Sequence, residues 1–172
     1  GPAGPQGIAG PAGPSGEVGP TGPTGPTGPS ATVVTNTYGR KYDTTENTIT
    51  LETNISQDVP LGSNGPSNGI TLNNQNKLTI PADGMYKVDY YFSGSSSANA
   101  EVTLNVKQNN TPIGSTTVSK NITANVDADF VGSTINNFKA NDQIGLALES
   151  TSAVTITPSS GTSAYLNIVR IS

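Results

Sequence analysis

Glycine stands at every third position through the first 28 residues, and this spacing constrains the fold more than any other feature of the sequence. Eight of the ten residues that follow these glycines are proline. Proline-rich chains favour the extended polyproline II helix, and three such helices wind around one axis only where every third residue lacks a Cβ. A disordered linker gives no reason for so strict a period. Residues 1–30 are therefore predicted to form a triple-helical stalk.

This pattern is the signature of collagen, and a collagen helix requires three copies of the chain. The third position of the triplets never holds proline, whereas animal collagens depend on hydroxylated proline there. The stalk is therefore predicted to be bacterial or viral. At about 3.1 Å per residue it would span at most roughly 90 Å. Because it buries almost no apolar surface, we expect an attached trimeric domain to hold the three chains in register.

Three consecutive Gly-Pro-Thr triplets place Thr21, Thr24 and Thr27 at the third position. Side chains at this position point away from the axis of a collagen helix into solvent. Exposed threonine beside proline is typical of O-glycosylated stalks. The three threonines are candidate O-glycosylation sites, although threonine is also simply tolerated at this position.

Residues 31–172 are predicted to form a single all-β domain, because short alternating or β-branched runs recur between Gly, Asn, Pro and Ser turns. No segment has a convincing helical period. About ten strands in 142 residues favour a ten-strand antiparallel jelly-roll sandwich. The expected strands lie near residues 32–38, 47–52, 77–80, 84–93, 100–108, 113–119, 128–136, 143–149, 153–157 and 163–171.

The last expected strand differs from the others because both of its faces are apolar. Ala164, Leu166 and Ile168 share one face, and Tyr165, Val169 and Ile171 share the other. The sandwich core covers only one face, so a neighbouring subunit is predicted to cover the second. Tyr165, Val169 and Ile171 are thus candidate residues of a homotrimer interface. Trimer packing is also the favoured role for three further tyrosines, Tyr38, Tyr42 and Tyr91.

Composition excludes several functional classes. The chain has no Cys and no His, which removes thiolate metal sites and the commonest catalytic base. We expect no enzymatic activity and no cofactor. A net charge of −4 with only 8 Lys and Arg argues against nucleic-acid binding. No run approaches the ~18 apolar residues of a membrane span. The sole Met is Met85, so we expect an N-terminal anchoring or targeting segment to precede this fragment.

Two acids carry a weak metal hypothesis. Asp127 and Asp129 flank one residue just before an expected strand, and hard oxygen ligands suit Ca²⁺. The further oxygen ligands and the closing Glu of a calcium loop do not follow at the required spacing. We therefore predict no metal site, and the two acids are more simply explained as solvated side chains at the start of a strand.

The segment LTIPADGMYKVDYYFSG, residues 78–94, resembles a strand motif of the trimeric jelly roll shared by tumour necrosis factor and complement-type collagen heads. In that motif an apolar residue and a proline precede a turn, and Gly-x-Tyr, here Gly84 and Tyr86, opens a long strand. The closing SAYLNIVRIS, residues 163–172, is similar to the family's apolar last strand. With the Gly-Pro-Thr triplets, the whole chain resembles the Bacillus collagen-like exosporium glycoproteins.

This resemblance implies a structural filament protein of the spore surface. It would form part of the hair-like nap of the exosporium or the tip of a spore appendage. The missing N-terminal segment would attach it to the exosporium basal layer or to the appendage, and the head would drive assembly and mediate adhesion. The alternative is a phage tail-fibre tip or a bacterial adhesin that recognises glycans or host proteins.

Overall fold

The computed structural model describes residues 1–28 and 36–172, which belong to two separate units. Residues 1–28 are all exposed, and none belongs to a helix or a strand. This unit therefore buries no core within one chain. The expected boundary between residues 30 and 31, and residues 32–35 of the first expected strand, lie outside the described residues. Within the described residues, no helix is long and apolar enough to cross a membrane.

Residues 36–172 form an all-β unit, as predicted, with a single turn of 3-10 helix at Gly114–Thr116. The number of strands was wrong: the described residues form fourteen rather than ten. Three of the four unexpected strands have only two residues, which is too short to alternate visibly, and the fourth is a six-residue strand rich in Gly, Ser, Asn and Pro. The strands are β1 (Tyr38–Asp43), β2 (Ile49–Leu51), β3 (Gln57–Asp58), β4 (Ser63–Asn68), β5 (Thr71–Leu72), β6 (Leu78–Thr79), β7 (Gly84–Ser96), β8 (Ala100–Gln108), β9 (Thr111–Pro112), β10 (Val118–Ile122), β11 (Ala128–Phe138), β12 (Gln143–Ser150), β13 (Val154–Pro158) and β14 (Ala164–Arg170).

The first sheet is organised around the long strand β7. β14 and β11 pair with the same stretch of β7, so they lie on its two opposite edges. β1 continues the sheet beyond β14, and β4 forms the edge beyond β1. β13 pairs with the last residues of β7 and with β2. Every pairing between these strands is antiparallel.

The second sheet contains β10, β8, β12, β6 and β5 in that order, with β3 and β9 at its margins. Its apolar side chains pack against those of the first sheet in one core cluster. The largest fully buried side chains of the unit are Tyr86, Phe130, Phe138, Leu51, Leu61, Leu78, Ile80, Leu104, Ile144, Leu146, Leu148 and Ile156. The unit is therefore a two-sheet antiparallel sandwich.

The Gly-x-Tyr motif that opens β7 has a steric explanation. A Cβ on Gly84 would overlap the backbone oxygen of Ser172 and lie 2.8 Å from Nε of Arg170. Glycine therefore lets the end of the chain approach the start of β7, where Met85 N donates to Ser172 O at 3.0 Å. Tyr86 is fully buried, and its hydroxyl donates to the Ala82 carbonyl at 2.8 Å.

Three local predictions were wrong. The first strand does not end near residue 38 as expected, since among the described residues it begins at Tyr38 and continues to Asp43. Residues 113–119 are not one strand, because the 3-10 turn at Gly114–Thr116 interrupts them and β10 begins only at Val118. Residues 62–69 lie in none of the expected strands, because Gly, Ser, Asn and Pro favour turns, yet they contain the strand β4. Proline lacks the N–H that a central strand needs, but β4 lies at a sheet edge, where Pro66 is tolerated.

Asparagine supplies most of the left-handed turn residues. In the described residues, six asparagines but only two glycines have positive φ. The asparagines are Asn54, Asn76, Asn109, Asn110, Asn125 and Asn141. Asn109 and Asn110 are the two central residues of the tight hairpin between β8 and β9, with φ of 51° and 68°. Positive φ at both positions matches the type I′ turn that suits the twist of paired strands.

Candidate association surface

The side chains that point away from the core on β1, β14, β7 and β11 form a continuous surface, called here the outer face. Strand register places them in three cross-strand rows. Read from β1 to β11, the rows are Tyr42, Tyr165, Tyr91 and Val131; Arg40, Asn167, Asp89 and Ser133; and Tyr38, Val169, Lys87 and Ile135.

The first row is aromatic. The rings of Tyr91 and Tyr165 are stacked, with centroids 5.3 Å apart and an interplanar angle of 17°. The guanidinium carbon of Arg40 lies 5.0 Å from the Tyr165 ring centroid and 5.3 Å from that of Tyr42. Stacking and cation–π contacts order these large side chains in advance, which reduces the entropy lost when a partner covers them.

The second row is polar. Arg40 Nη1 donates to Asn167 Oδ1 at 3.0 Å, and Ser133 Oγ donates to Asp89 Oδ1 at 2.7 Å. Lys87 Nζ lies 3.2 Å from Asp89 Oδ2, in an exposed ion pair that contributes little to the stability of a single subunit. Both signs of charge thus lie in the middle of the outer face, where they can define the orientation of a partner.

Exposed apolar side chains are concentrated on the outer face and at its margin. Six of the large hydrophobic residues that are exposed in residues 36–172 lie there: Tyr38, Met85, Val131, Ile135, Val169 and Ile171. Val131 is 61% exposed and Ile135 59%. The other two, Ile55 and Val126, lie in loops. Contiguous exposed apolar surface of this kind marks an interaction site in soluble proteins.

The structure brings the predicted interface residues together. Tyr165 and Val169 point outward from β14, and Ile171 follows the end of that strand with 45% exposure. Tyr38, Tyr42 and Tyr91 lie on the same surface.

Seven residues of the outer face were not predicted as interface candidates from the sequence: Arg40, Lys87, Asp89, Val131, Ser133, Ile135 and Asn167. The alternation of Val131 and Ile135 with the inward Phe130 and Gly132 was a readable signal. The position of Arg40 between two tyrosines depends on strand pairing, which the sequence does not display.

The acidic pair is divided between two environments. Asp127 is an exposed loop residue, whereas Asp129 lies on β11 and its Oδ1 accepts a hydrogen bond from the Tyr91 hydroxyl at 3.1 Å. Hydrogen bonds from Ser93 and Tyr91 lower the pKa of the Asp129 carboxyl. Burial raises the pKa of the Tyr91 hydroxyl. Within residues 1–28 and 36–172, no group of three or more His, Cys, Asp or Glu side chains is placed to hold a metal ion.

The candidate glycosylation sites Thr21, Thr24 and Thr27 are all exposed in the first unit. Their accessibility is compatible with modification, and their glycosylation stays a prediction.

A comparison with models of known protein families finds a match over most of the chain. The sequence model of the BclA C-terminal domain matches residues 40–172. The chain belongs to the BclA C-terminal domain family. The membership in the Bacillus collagen-like exosporium proteins that the sequence indicated is thereby confirmed. A comparison with curated proteins finds no match.

Solved structures place the BclA-type domain in a wider fold class. The structure of Eiger TNF from S. frugiperda matches with a TM-score of 0.57 and 12% identity, and the match covers 80% of this chain and 93% of that one. At this identity the likeness establishes the fold alone. The domain is thus a TNF-like sandwich, in agreement with the jelly-roll prediction.

Proposed function

We propose that three copies of the chain associate through the outer face into a homotrimer, and that the trimer is a structural filament protein of the bacterial spore surface. The observation that carries this proposal is the outer face itself, an ordered aromatic row beside exposed valine and isoleucine. The ten Gly-X-Y triplets set the copy number at three, because a collagen helix needs three strands. In this assembly the outer face of each copy contacts its neighbour around a three-fold axis.

The heads associate first in this proposal. Burial of the apolar residues of the outer face aligns three chains, and residues 1–30 then wind into a triple helix from their C-terminal end. The polar row of Arg40, Asn167 and Asp89 fixes the relative orientation of the heads, since mismatched charges would be buried without partners. The head thus supplies the register that the stalk cannot set for itself.

Membership in the BclA C-terminal domain family supports a location on the exosporium. The chain would be attached to the basal layer or to a spore appendage through a segment N-terminal to residue 1. Sugars on Thr21, Thr24 and Thr27 would coat the stalk. The proposed role is passive shielding and adhesion, without enzymatic activity, and the lack of His and Cys supports this assignment.

Sedimentation equilibrium of the full chain tests the assembly. We expect three times the 17.5 kDa mass of one chain. Val169→Glu replaces an apolar side chain of the proposed interface with a charged one and should shift the protein toward monomers. Ile55→Glu is the matched control, because Ile55 is similarly exposed, at 52% against 46%, but lies in a loop away from the outer face. A monomeric wild-type chain, or equal effects of the two variants, would refute the assembly.

Immunogold electron microscopy of spores, with antibody raised against the full chain, tests the location. Label on an outer nap or on appendage tips is the expected result. Label confined to phage particles or to vegetative cell walls would instead favour a receptor-binding protein.

One observation favours that second candidate. A cleft between strand ends and loops is lined by polar side chains, namely Asn99, Glu101, Asn121, Thr123 and Thr151, with Ala100 and Ile122. Amide, hydroxyl and carboxylate groups are the hydrogen-bonding partners that sugars require. Binding of the full chain to a glycan array, if Asn121→Ala abolishes it, would support an adhesin. If the chain binds no glycan on the array, only the structural role is supported.

A further inference from the structure

Lys41 is an unusual lysine because it points inward from β1. Its residue exposure is only 2%, whereas lysine is almost never fully buried unless it is paired. Burial lowers the pKa of its amine and so increases the fraction that is neutral at a given pH. A neutral amine has a free electron pair and is a nucleophile.

The Lys41 amine faces a carboxamide. Lys41 and Asn64 are direct cross-strand partners between β1 and β4, and Lys41 Nζ lies 2.6 Å from Asn64 Oδ1. The other buried lysine, Lys107, differs because its Nζ lies 2.9 Å from a carboxylate oxygen of Asp58. Lys107 is thus in an ion pair, whereas Lys41 contacts an uncharged group that carries a leaving nitrogen.

A carboxyl group lies on the same inward surface. Asp43 is two residues after Lys41 on β1, faces the same way, and is 4% exposed. Gly62 precedes Asn64 by two residues, and a Cβ built at Gly62 would lie 3.9 Å from Asp43 Oδ1. Glycine at position 62 therefore leaves room for the Asp43 carboxyl beside the segment that carries Asn64.

We propose that Lys41 and Asn64 form an intramolecular isopeptide bond that clamps β1 to β4. The electron pair of Nζ attacks Cγ of Asn64, the bond between Cγ and the amide nitrogen breaks, and a new amide joins the two side chains. One proton passes from Nζ to the departing nitrogen through solvent, with the Asp43 carboxyl on the same face of β1 as the base, and the nitrogen leaves as ammonia. The reaction consumes no oxidant, reductant or other co-reactant.

Intact mass spectrometry of the purified full chain tests this bond. The expected mass is that of the sequence less one molecule of ammonia. A tryptic digest should contain residues 41–77 as one internally cross-linked peptide with the same loss, because trypsin does not cleave after the bonded Lys41 and the next Lys or Arg is Lys77. Lys41→Arg and Asn64→Ala should each restore the full mass of their sequences. Lys107→Arg is the matched control and should still lack one ammonia. A wild-type chain at full mass after prolonged incubation would overturn the proposal.

Asn64 precedes Gly65, and an Asn-Gly pair can also release ammonia by closing a succinimide within its own backbone. The Lys41→Arg variant separates the two reactions, because it keeps the Asn-Gly pair and removes the amine. Ammonia loss that persists in Lys41→Arg, without a cross-linked 41–77 peptide in the wild type, would refute the isopeptide bond. Asp43→Ala should slow the loss of ammonia, and an unchanged rate would remove Asp43 from the proposed reaction.

Discussion

Gly132 on β11 lies directly across from Tyr90 on β7, and the phenol ring of Tyr90 occupies the space that a side chain at position 132 would need. Tyr90 is buried, and its hydroxyl donates to the Thr116 carbonyl at 2.9 Å. The glycine thus allows the ring to extend across β11 toward the 3-10 turn. The lack of a side chain at position 132 of the first sheet thereby lets Tyr90 hold the 3-10 turn at Gly114–Thr116, which follows β9 of the second sheet.

Gly132→Ala should destabilise the head, because the added Cβ would overlap the Tyr90 ring. Overpacking of this kind costs about 1–3 kcal/mol. Urea unfolding followed by circular dichroism measures the loss. Gly114→Ala is the control, since a Cβ there meets no atom within 4 Å. Equal midpoints for the two variants would show that the ring can move aside freely.

Ser163→Ala should leave the free energy of unfolding unchanged or raise it by about 1 kcal/mol, because burial of an unpaired hydroxyl is unfavourable. Ser163 Oγ is buried and has no hydrogen-bond partner among the described residues. The contrasting variant is Thr116→Val, which removes an Oγ1 that accepts from Val106 N at 2.9 Å. In thermal unfolding, Ser163→Ala should have a higher melting temperature than Thr116→Val. The reverse order would contradict the assignment of Ser163 as unpaired.

Asp142 is expected to stabilise the fold in a pH-dependent manner. Partial burial disfavours its charged form, but hydrogen bonds from Lys139 N, Asn109 and Gln108 outweigh burial and lower the pKa of the carboxyl below 3.8. A depressed folded-state pKa stabilises the protein above the unfolded value, and this contribution disappears as the pH falls through the folded value.

Asp142→Ala should therefore cost about 1–3 kcal/mol near neutral pH, because three partly buried hydrogen bonds lose their acceptor. The part of this difference that comes from the charge should shrink as the pH falls below about 4. Denaturant unfolding at several pH values, with exposed Asp127→Ala as the control, measures both effects. A difference that grows toward acid pH would contradict the assigned direction of the pKa shift.

Gly16→Ala tests the collagen stalk in the full chain. A Cβ at the crowded axis of a triple helix disrupts it locally, so the melting temperature of the stalk should fall. The melting temperature of the head should not move, because residues 1–28 lie outside its core. Ala12→Ser, at the solvent-facing third position of a triplet, is the control. A single unshifted transition in calorimetry would argue that these triplets are not wound.

The long strands could be predicted because burial on one face imposes a two-residue period. Tyr86, Val88 and Phe92 alternate with polar neighbours along β7, and all three are buried in the core. The same logic predicted the outward positions of Tyr165 and Val169. A period of two is visible only in strands of several residues, so the two-residue strands β3, β5 and β9 left no pattern to read.

Composition was misleading where tertiary position overrides local preference. Gly65 and Pro66 favour a turn, yet they lie in β4 because an edge strand needs hydrogen bonds on one side only.

The interruption between β13 and β14 was expected, since separate strands were predicted near residues 153–157 and 163–171, but its geometry was not. Ser159 N donates to Ser93 O, and Ser93 N donates to Ser163 O, so five residues are accommodated opposite one residue of β7. Such a bulge depends on a partner strand that is remote in sequence, and no local signal reveals it.

Pro66 affects how the exposed edge of β4 can pair with strands of neighbouring molecules. An edge strand with a full set of free N–H and C=O groups recruits strands from other molecules, which is a route to amyloid-like aggregation. At position 66 of β4 the ring nitrogen carries no hydrogen, so a continuous ladder with an incoming strand is interrupted there. If the chain forms the proposed surface filaments, neighbouring heads at very high local density would touch along this edge without polymerising, and the filaments would remain separate molecules.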